Sequence, residues 1–514
     1  MKQWLDRSTG RVTMYRTVLL SLIGIAVIAF VLSLLTFLVP SLNLIGLTDP
    51  LAMVASAAVA IVATNASNFA ISRALRVEPH YESSHITALL IFFIIPPTLD
   101  LGLLWIVAAG VLASISKYLV AVRGRHIFNP AAVGVFVVGL LAYAGIGGAP
   151  FAQWWVGTPY LLVPVALGAL LILYRTQRLT LGVVFVLVGL AAVVVRNLVA
   201  GFPPLDAVST FFLSSPAVFF AGFMLSEPLT LPPRRWQQLL EAGIVALLTT
   251  IPFSVGLVSN TPQFALLVGN LLAFLVGQRR GIRLTYLGKT QLNDTTWELA
   301  FQPARRVRFL PGQYMELTIP HAKVDFRGRR RYFSIASAPS ETGPLTFAIT
   351  MPTKASSFKH ALLALEPGAV VHGTSVGGDF ALPRDVAKPL LLVAGGIGIT
   401  PFASQLAHAV ERGEKRDVVL VYATSATGPL PYRELLERSG ARVVLYGPEP
   451  DTLPAGWVYG GEGRVTGERL ASAVPDAATR RAFVSGPPAL VNDLRRALRS
   501  QGARRVHADY FSGY

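Results

Sequence analysis

The residues best suited to chemistry are Arg331, Phe333 and Ser334, inside the run RRRYFS. An arginine binds phosphate through its planar guanidinium group. In a strand, an aromatic side chain two residues further on lies on the same face and can cover a flavin ring, while the serine hydroxyl can bond to the ring edge. PGQY at 311–314 precedes this pattern, and SSF at 356–358 follows it with hydroxyls and amides suited to a second phosphate.

A second motif, PLLLVAGGIGITP at 389–401, runs from an apolar strand into a glycine-rich turn. Gly395, Gly396 and Gly398 would let the backbone approach a pyrophosphate at a helix N-terminus, with Pro401 in the opening of that helix. Further strand and helix patterns follow, which predicts additional α/β units. No arginine directly follows the strand DVVLVY to bind a 2′-phosphate, which favours NADH over NADPH.

The order of these motifs resembles the ferredoxin–NADP reductase superfamily over residues 284–514. The resemblance implies an antiparallel β-barrel flavin domain at 284–386, an α/β parallel-sheet nicotinamide domain at 387–514, and the cofactors FAD and NADH or NADPH. It implies catalytic roles for Ser334, for Ser485, which occupies a position where the family often has cysteine, and for Phe511, which would stack on the flavin, with Tyr510 as the alternative. The cofactor-binding residues that it implies are Arg331, Tyr332, Phe333, Ser334, Lys354, Ser356, Ser357, Gly395, Gly396, Gly398, Thr400, Pro401, Gly486 and Phe511.

These motifs occupy the charge-rich part of a chain that is otherwise strongly apolar. Charged residues make up 14% of the 514 residues and the mean hydropathy is +0.53, whereas soluble domains carry roughly 25% charged residues. Residues 1–283 hold only 17 of the 45 Lys and Arg and 8 of the 28 Asp and Glu. This region contains ten apolar runs near the length of a membrane span, at 17–39, 51–72, 84–97, 101–121, 128–146, 158–174, 178–199, 205–225, 236–258 and 262–279. They predict a polytopic α-helical membrane domain of ten spans at 1–283.

The positive residues of this region predict its orientation. If the N-terminus is cytoplasmic, 16 of the 17 fall in cytoplasmic loops and only Arg196 falls on the opposite side. The 16 are Lys2, Arg7, Arg11, Arg16, Arg73, Arg76, Lys117, Arg123, Arg125, Arg175, Arg178, Arg234, Arg235, Arg279, Arg280 and Arg283. We therefore expect a multi-pass protein of the cell inner (plasma) membrane with both termini cytoplasmic. The isoelectric point of 10.3 is then explained in part by the positive residues of the cytoplasmic loops, and no nucleic-acid partner is expected.

The membrane region also contains a weak internal repeat. Residues 84–101 and 215–231 each place a serine before a short apolar run with two adjacent phenylalanines, and each ends near a proline, Pro97 or Pro228. They fall in spans 3 and 8, so the halves would form an inverted 5+5 repeat. Such paired, interrupted segments indicate a binding site near the membrane midplane. The alternative is that both are ordinary proline-kinked helices.

Three short motifs, PPTL at 96–99, GRHIFNPAAVGVF at 124–136 and FMLSEPLTLPP at 223–233, resemble the membrane subunit family shared by the sodium-pumping NADH:quinone reductase and the Rnf complex. The resemblance implies a second flavin, FMN or riboflavin, in the membrane domain. It also implies that Thr158 is an attachment site for FMN. The position three residues earlier, where the family has serine or aspartate, is Trp155 here. The alternative is that Thr158 caps a helix beginning at Pro159.

The sequence limits which redox groups could carry electrons across a membrane. The chain has no cysteine, which excludes thiolate metal sites and cysteine-ligated iron–sulfur clusters. Two stacked haems need four axial ligands, normally histidine, and residues 1–283 contain only His80, His85 and His126, which we interpret as interfacial polar residues. No metal site is expected, and a membrane flavin is the remaining relay. Asn129, Glu227 and Glu241 are the polar residues that could support its pocket.

These observations predict a membrane-bound NAD(P)H dehydrogenase that passes electrons from NAD(P)H through FAD to a flavin in the membrane domain and on to an extracytoplasmic acceptor. One alternative is an NAD(P)H:quinone reductase, whose acceptor lies in the bilayer. Another is a transporter for a flavin-type cargo with a regulatory or cargo-reducing reductase domain. The partners predicted are the membrane, NAD(P)H and an electron acceptor, while the sequence leaves the oligomeric state open.

Overall fold

The structure is a computed structural model, and it describes residues 14–39, 41, 49–75, 81–122, 125–277, 282–322, 325, 329–340, 342–353, 355–373, 376–425, 428–450 and 452–511. Several residues named above lie outside these ranges: Lys2, Arg7, Arg11, Arg76, His80, Arg123, Arg279, Arg280 and Lys354. The chain divides into two compact units, one at 11–279 and one that comprises 280–514. Each unit is described by itself.

The first unit is helical. Each of the ten predicted apolar runs contains a helix, and the eighth run contains two. The helices are α1 (Met14–Leu38), α2 (Pro50–Ala74), α3 (Tyr81–Ile94), α4 (Gly102–Leu119), α5 (Pro130–Tyr143), α6 (Pro159–Arg175), α7 (Leu179–Val199), α8 (Pro204–Leu213), α9 (Ala217–Met224), α10 (Arg235–Thr250) and α11 (Pro262–Val276). Two short antiparallel pairs, β1 (Ala121–Val122) with β2 (Arg125–His126) and β3 (Ser254–Val255) with β4 (Val258–Ser259), lie between helices.

Four of the described helices, α1, α2, α4 and α7, are long and apolar enough to cross a membrane. A fifth candidate span is the pair α8 and α9, which is bent by 58° at a short break. From Phe220 the backbone of α9 continues as a π-helix, a local widening that often occurs at functional sites. Helices α3, α5, α6 and α11 are apolar but shorter. The structure therefore shows four or five candidate spans in the described residues.

Local sequence explains where these helices begin and how closely they pack. Asp49 caps α2 by accepting from the backbone N–H of Leu51 at 2.9 Å, and a proline occupies the first helical position of α2, α5, α6 and α11. Small residues allow close contact between helix backbones. A Cβ at Gly134 of α5 would collide with the backbone carbonyl of Ala109 of α4, and one at Gly222 of α9 would collide with Ala169 of α6.

The second unit contains two sheets. The first is antiparallel and six-stranded, in the order β8-β7-β10-β5-β6-β9. Its elements are β5 (Ile282–Gln291), β6 (Thr296–Pro303), β7 (Tyr314–Thr318), β8 (Arg330–Ser334), β9 (Leu345–Thr350), α12 (Ser357–Leu363) and β10 (Val370–Gly373). After β8, the N–H of Ala336 donates to the carbonyl of Thr346 in β9 at 2.8 Å, which brings the two edge strands together. Phe301, Phe347 and Phe358 fill the interior.

The second sheet is parallel, in the order β14-β13-β12-β11-β15-β16. Its elements are β11 (Leu390–Gly395), α13 (Thr400–Glu411), β12 (Val418–Ala423), α14 (Arg433–Arg438), β13 (Arg442–Tyr446), β14 (Val458–Gly461), α15 (Gly467–Ala473), β15 (Arg481–Gly486), α16 (Pro488–Ser500) and β16 (Val506–Tyr510). From β11 the chain continues to β12, β13 and β14 on one side of that strand, and it then crosses to the other side, where β15 and β16 lie. The carboxyl ends of β11 and β15 therefore lie at the topological switch point, where such sheets bind ligands.

Candidate functional site

The glycine-rich turn lies at this switch point. A 3₁₀ turn over Gly396–Ile399 joins β11 to α13, and Gly396 has a φ of +54°, a left-handed conformation that favours glycine. A Cβ at Gly398 would lie 2.5 Å from the carbonyl oxygen of Ser485, at the end of β15. Glycine is therefore needed for the two strand ends to meet. Thr400, whose hydroxyl donates to the carbonyl of Ile397 at 3.0 Å, and Pro401 are both buried at the start of α13.

The residues that follow β15 complete this edge. Ser485 is fully buried, and its hydroxyl is without a hydrogen-bond partner among the described residues. A buried hydroxyl without a partner is costly in a protein interior, so its position suits contact with a ligand. Gly486 pairs with Tyr510 in the parallel ladder, and the N–H of Phe511 donates to the Gly486 carbonyl at 2.9 Å. Phe511 is therefore held beside Gly486.

Tyr510, the alternative to Phe511, is directed to α16. Its hydroxyl accepts from Arg495 at 3.3 Å and donates to Asn492 at 3.4 Å. The geometry therefore favours Phe511 as the aromatic residue available to a bound ring.

The Arg331, Phe333 and Ser334 pattern lies on β8. Arg331 and Phe333 face the same side, since both contact Phe358: the Arg331 guanidinium carbon lies 5.2 Å from the Phe358 ring centroid, and the Phe333 ring stacks on it at 5.9 Å. Tyr332 points to the opposite face, is 51% exposed and meets the ring of Tyr314 edge-on at 5.3 Å. The same-face expectation for Arg331 and Phe333 agrees with this geometry, whereas Tyr332 cannot share their side.

The serines that follow lie near this face, where Ser356 caps α12 by accepting from the N–H of Lys359 at 3.4 Å. The backbone N–H of Ser357 donates to the Asp325 carboxylate at 3.0 Å, and that carboxylate lies 3.9 Å from the Arg331 guanidinium. One carboxylate therefore already interacts with two groups predicted to bind phosphate, an arrangement that fits an anion site. The predicted ligand Lys354 lies outside the described residues.

Sequence reasoning missed Asp509, a residue of the parallel sheet whose pKa is influenced by Ser334 of the antiparallel sheet. Asp509 lies on β16 beside Ser485 in the ladder. Burial raises the pKa of Asp509 to about 6, although the backbone of Tyr510 and the Ser334 hydroxyl act against that shift. Asp509 is two residues before Phe511, within the C-terminal run DYFSGY, and its position in that run was the available signal. Ser485 and Asp509 thus lie side by side at the end of the parallel sheet, and Ser334 of the antiparallel sheet is close enough to influence the pKa of Asp509.

Two further contacts hold α13 against the segments that follow β8 and β10 of the antiparallel sheet. Ser404 of α13 donates to the carbonyl of Ser337 at 2.7 Å, and the Gln405 amide donates to the carbonyl of Phe380, also at 2.7 Å. Gly312, in the PGQY motif, has a φ of +92°, and a Cβ there would collide with this Phe380 carbonyl. The glycine of PGQY therefore allows the close contact with Phe380 and Gln405 of α13.

In the helical unit, Thr158 is at the N-cap position of α6, but its side chain makes no capping hydrogen bond. The Thr158 hydroxyl is buried and lacks a partner in the part of the chain that the structure describes. The neighbouring Gly157 packs against Ser215, where a Cβ would lie 2.9 Å from the Ser215 carbonyl carbon. Ser215 lines a cavity of about 200 Å³ together with Phe185, Arg196, Phe211 and Phe220. Its lining residues Ser215, Pro216, Ala217 and Phe220 belong to the segment 215–231, where the internal repeat predicts a binding site.

One polar network joins His126, Asn129, Glu227 and Asn270. His126 is only 6% exposed, and its Nε2 lies 3.0 Å from the Glu227 carboxylate. The Asn129 amide donates to the other Glu227 oxygen at 2.9 Å, and the Asn129 N–H donates to the Asn270 side chain at 2.8 Å. His126 is therefore buried against Glu227, and its position at a membrane interface stays a prediction. His85 bonds within its own helix, to the carbonyl of Tyr81.

Comparison with known proteins agrees with the geometry of the second unit. Residues 392–496 match the family described as oxidoreductase NAD-binding domain. The NADPH oxidoreductase of Mycobacterium tuberculosis is 28% identical over 240 residues, which are 45% of this chain and 60% of that protein. The toluate 1,2-dioxygenase electron transfer component of Pseudomonas putida is 27% identical over 45% of this chain and 68% of its own length. The ferredoxin–NAD(+) reductase component of the Xanthobacter autotrophicus alkene monooxygenase system is 29% identical over 46% of this chain and 70% of its own length.

The chain thus spans 60% of the length of the first of these relatives. The matched region is similar to the FAD- and NAD(P)-binding oxidoreductase domain of ferredoxin reductases. These matches cover less than half of the chain and do not assign a function to the helical unit.

Proposed function

We propose that this protein is a membrane-bound NAD(P)H dehydrogenase that delivers electrons from NAD(P)H, through FAD in the second unit, to a flavin in the helical unit and then to an extracytoplasmic acceptor. The observation that carries the proposal is the convergence of Ser334, Ser485 and Asp509 between a sheet suited to flavin and a sheet suited to a dinucleotide. The fusion of this site to a helical unit with four or five candidate spans supports a membrane acceptor.

The residues of the second unit fit the two cofactors. Arg331 and the Ser357 N–H would hold the FAD phosphates in place of the Asp325 carboxylate, and Gly395, Gly396 and Gly398 would let the dinucleotide pyrophosphate approach the start of α13. Bound FAD accepts a hydride from NAD(P)H and releases electrons singly. Ser485 would bond to the nicotinamide, while Phe511 would cover the flavin ring until the nucleotide enters.

Ser334 and Asp509 would move or hold a proton at the reacting edge of the flavin. The Asp509 pKa of about 6 lies near neutrality, where a carboxyl exchanges protons most readily. The Ser334 hydroxyl lowers the Asp509 pKa against the effect of burial, so the two side chains are close enough to act together on a proton. The chain's own part in the chemistry is therefore orientation and proton handling.

We further propose that all ten apolar segments span or enter the membrane with the termini cytoplasmic, as the positive residues indicate. The cavity beside Gly157 would hold the second flavin, with Phe185, Phe211 and Phe220 against its ring and Arg196 near its phosphate. The unpartnered Thr158 hydroxyl supports this location, whether attachment is covalent or not. A quinone in the same cavity is the second candidate, because the cavity walls are mainly apolar.

The Gly398→Val variant tests the proposal. A larger side chain at 398 collides with the Ser485 carbonyl and closes the dinucleotide site, so we expect the purified full chain to keep its FAD but lose flavin reduction by NADH. Dithionite should still reduce the FAD, and Gly243→Ala, a change into open space, is the control. Reduction of Gly398→Val by NADH at the wild-type rate would contradict the assignment.

Denaturation tests Thr158 separately. If Thr158 carries FMN, one flavin per chain stays attached after unfolding and precipitation, and Thr158→Val releases it. Release of all flavin from the wild-type chain would exclude covalent attachment.

A further inference from the structure

A row of mainly basic side chains crosses one face of the antiparallel sheet. Arg283 of β5 pairs with His372 of β10. On its other side His372 pairs with Thr318 of β7, which in turn pairs with Arg330 of β8. Residues directly opposite each other on neighbouring strands lie on the same face, so these four side chains form one row, here called the basic row. Three strand spacings make it about 14 Å long.

The basic row faces outward. Arg283 and His372 are exposed, whereas the residues beside them in their strands, Leu284 and Val371, are buried in the hydrophobic core. Successive side chains of a strand point to opposite faces of a sheet. The basic row therefore occupies the outer face, and its charged groups can reach a partner outside the chain.

Two more arginines extend this positive surface beyond Arg283. The N–H of Ala304 donates to the Arg283 carbonyl at 2.9 Å, which places the segment after β6 beside the start of β5. Arg305 and Arg306 directly follow Ala304, and both are exposed. On the same face of β7 as the basic row, Glu316 is only 3% exposed. Four arginines thus accompany one largely buried carboxylate, and the outer surface is positive.

Exposed apolar side chains accompany the basic row. Val370 lies on the same face of β10 as His372 and is 37% exposed. Leu287 lies on the same face of β5 as Arg283 and is 47% exposed. Surfaces that contact a membrane combine basic residues, which attract anionic headgroups, with apolar residues that enter the interfacial region. This face of the sheet has that composition.

The basic row begins close in the chain to the helical unit. Five residues separate the end of α11 at Val276 from the start of β5 at Ile282, and Arg283 follows directly. Even fully extended, this connection reaches no further than about 20 Å. The start of β5 is therefore tethered near the membrane surface at which α11 is proposed to end, and the positive residues of the helical unit predict that this is the cytoplasmic surface.

We propose that the basic row, together with Arg305 and Arg306, binds the anionic phospholipid headgroups of the membrane into which the helical unit inserts. The guanidinium groups contact lipid phosphates, and Val370 and Leu287 enter the interfacial region. Arg331 points to the opposite face of β8, toward Phe358, so the lipid surface shares no residue with the proposed flavin site. This inference rests on the proposed membrane insertion of the helical unit.

A fluorescent label on the full chain tests the surface. The chain has no cysteine, so Val370→Cys gives a single attachment site for an environment-sensitive dye. The emission should shift to shorter wavelength in nanodiscs of equal parts phosphatidylcholine and phosphatidylglycerol, compared with nanodiscs of phosphatidylcholine alone. High salt should abolish the difference, because it screens exposed charges. A dye at Val458→Cys, an exposed position of β14, should show no such difference.

Paired substitutions separate charge from shape. Arg283→Gln combined with Arg306→Gln should reduce the lipid-dependent shift several-fold. Arg283→Lys combined with Arg306→Lys should retain it, because lysine keeps the charge that attracts a headgroup. The matched control is Arg496→Gln combined with Arg499→Gln, the same change at two exposed arginines of α16, which should leave the shift unchanged.

Three outcomes would contradict the proposal. Equal emission in the two kinds of nanodisc, or an equal loss of the shift in the α16 control, would overturn the lipid surface. A shift that polyglutamate produces and phosphatidylglycerol does not would overturn it in favour of an acidic protein. A chain that fails to enter nanodiscs would overturn the membrane domain as well, whereas one that enters them without the lipid-dependent shift would overturn this surface alone.

Discussion

Ser334 and Asp509 come from different sheets, yet the Ser334 hydroxyl influences the pKa of the Asp509 carboxyl at the proposed reaction site. Neither the strand pattern around Ser334 nor the C-terminal run around Asp509 indicates this proximity. Position along the chain predicted Ser334, Ser485 and Phe511 as members of one site, because family motifs carry such residues. The proximity of Ser334 and Asp509 depends on tertiary packing, which cannot be predicted from a local sequence pattern.

Arg331→Ala should weaken FAD binding by about 10- to 100-fold, since a hydrogen bond to a charged group contributes about 1.5–3 kcal/mol. Arg331→Lys should recover only part of the loss, because lysine lacks the planar fork. Flavin per chain after gel filtration measures the effect, with Arg330→Ala as the neighbouring control. Full retention of FAD by Arg331→Ala would exclude the phosphate role.

Asp509 makes stability depend on pH in a definite direction. Its folded pKa, about 6, exceeds the ordinary value of 3.8, so the folded state binds a proton more tightly than the unfolded state. The resulting stabilisation is present below about pH 4 and is lost as the pH rises through 6. Above pH 7, Asp509→Asn should therefore be more stable than wild type by about 3 kcal/mol, and near pH 4 the two should agree.

The temperature of flavin release from the full chain, followed by flavin fluorescence at both pH values, measures this difference. Equal release temperatures for wild type and Asp509→Asn at pH 7.5 would mean that the carboxyl is not desolvated as described.

At the scale of elements, the sequence predicted most of the architecture. All ten apolar runs contain a helix, and the change to alternating patterns near Arg283 coincides with β5. The parallel and antiparallel sheets follow the predicted order, while closure of the antiparallel sheet into a barrel stays a prediction. Hydropathy does not report the 58° angle between α8 and α9, nor the close packing of Gly222 of α9 against Ala169 of α6.

Gly134→Val should disrupt the helical unit, because its side chain must overlap the backbone of Ala109 and force α5 away from α4. Overpacking of this kind costs about 1–3 kcal/mol or more. Gly139→Ala on the same helix enters open space and is the control. Thermal aggregation in detergent compares the two. If Gly134→Val is as stable as Gly139→Ala, the close approach of α4 and α5 is wrong.

At the scale of the molecule, the uneven charge distribution separates two functions. The charge-poor unit at 11–279 supplies apolar helices and a cavity, and the charge-rich unit contains the sheets that resemble a reductase. The absence of cysteine and the scarcity of histidine in residues 1–283 limit the proposed electron relay to a group that needs neither. A flavin meets that condition, and electron transfer through it is the central claim.

The optical spectrum of the purified full chain, recorded before and after addition of NADH together with the flavin content, tests that claim most directly. The account predicts two flavins per chain, both bleached by NADH, and no haem band. One flavin per chain, or a haem band that NADH reduces, would contradict it.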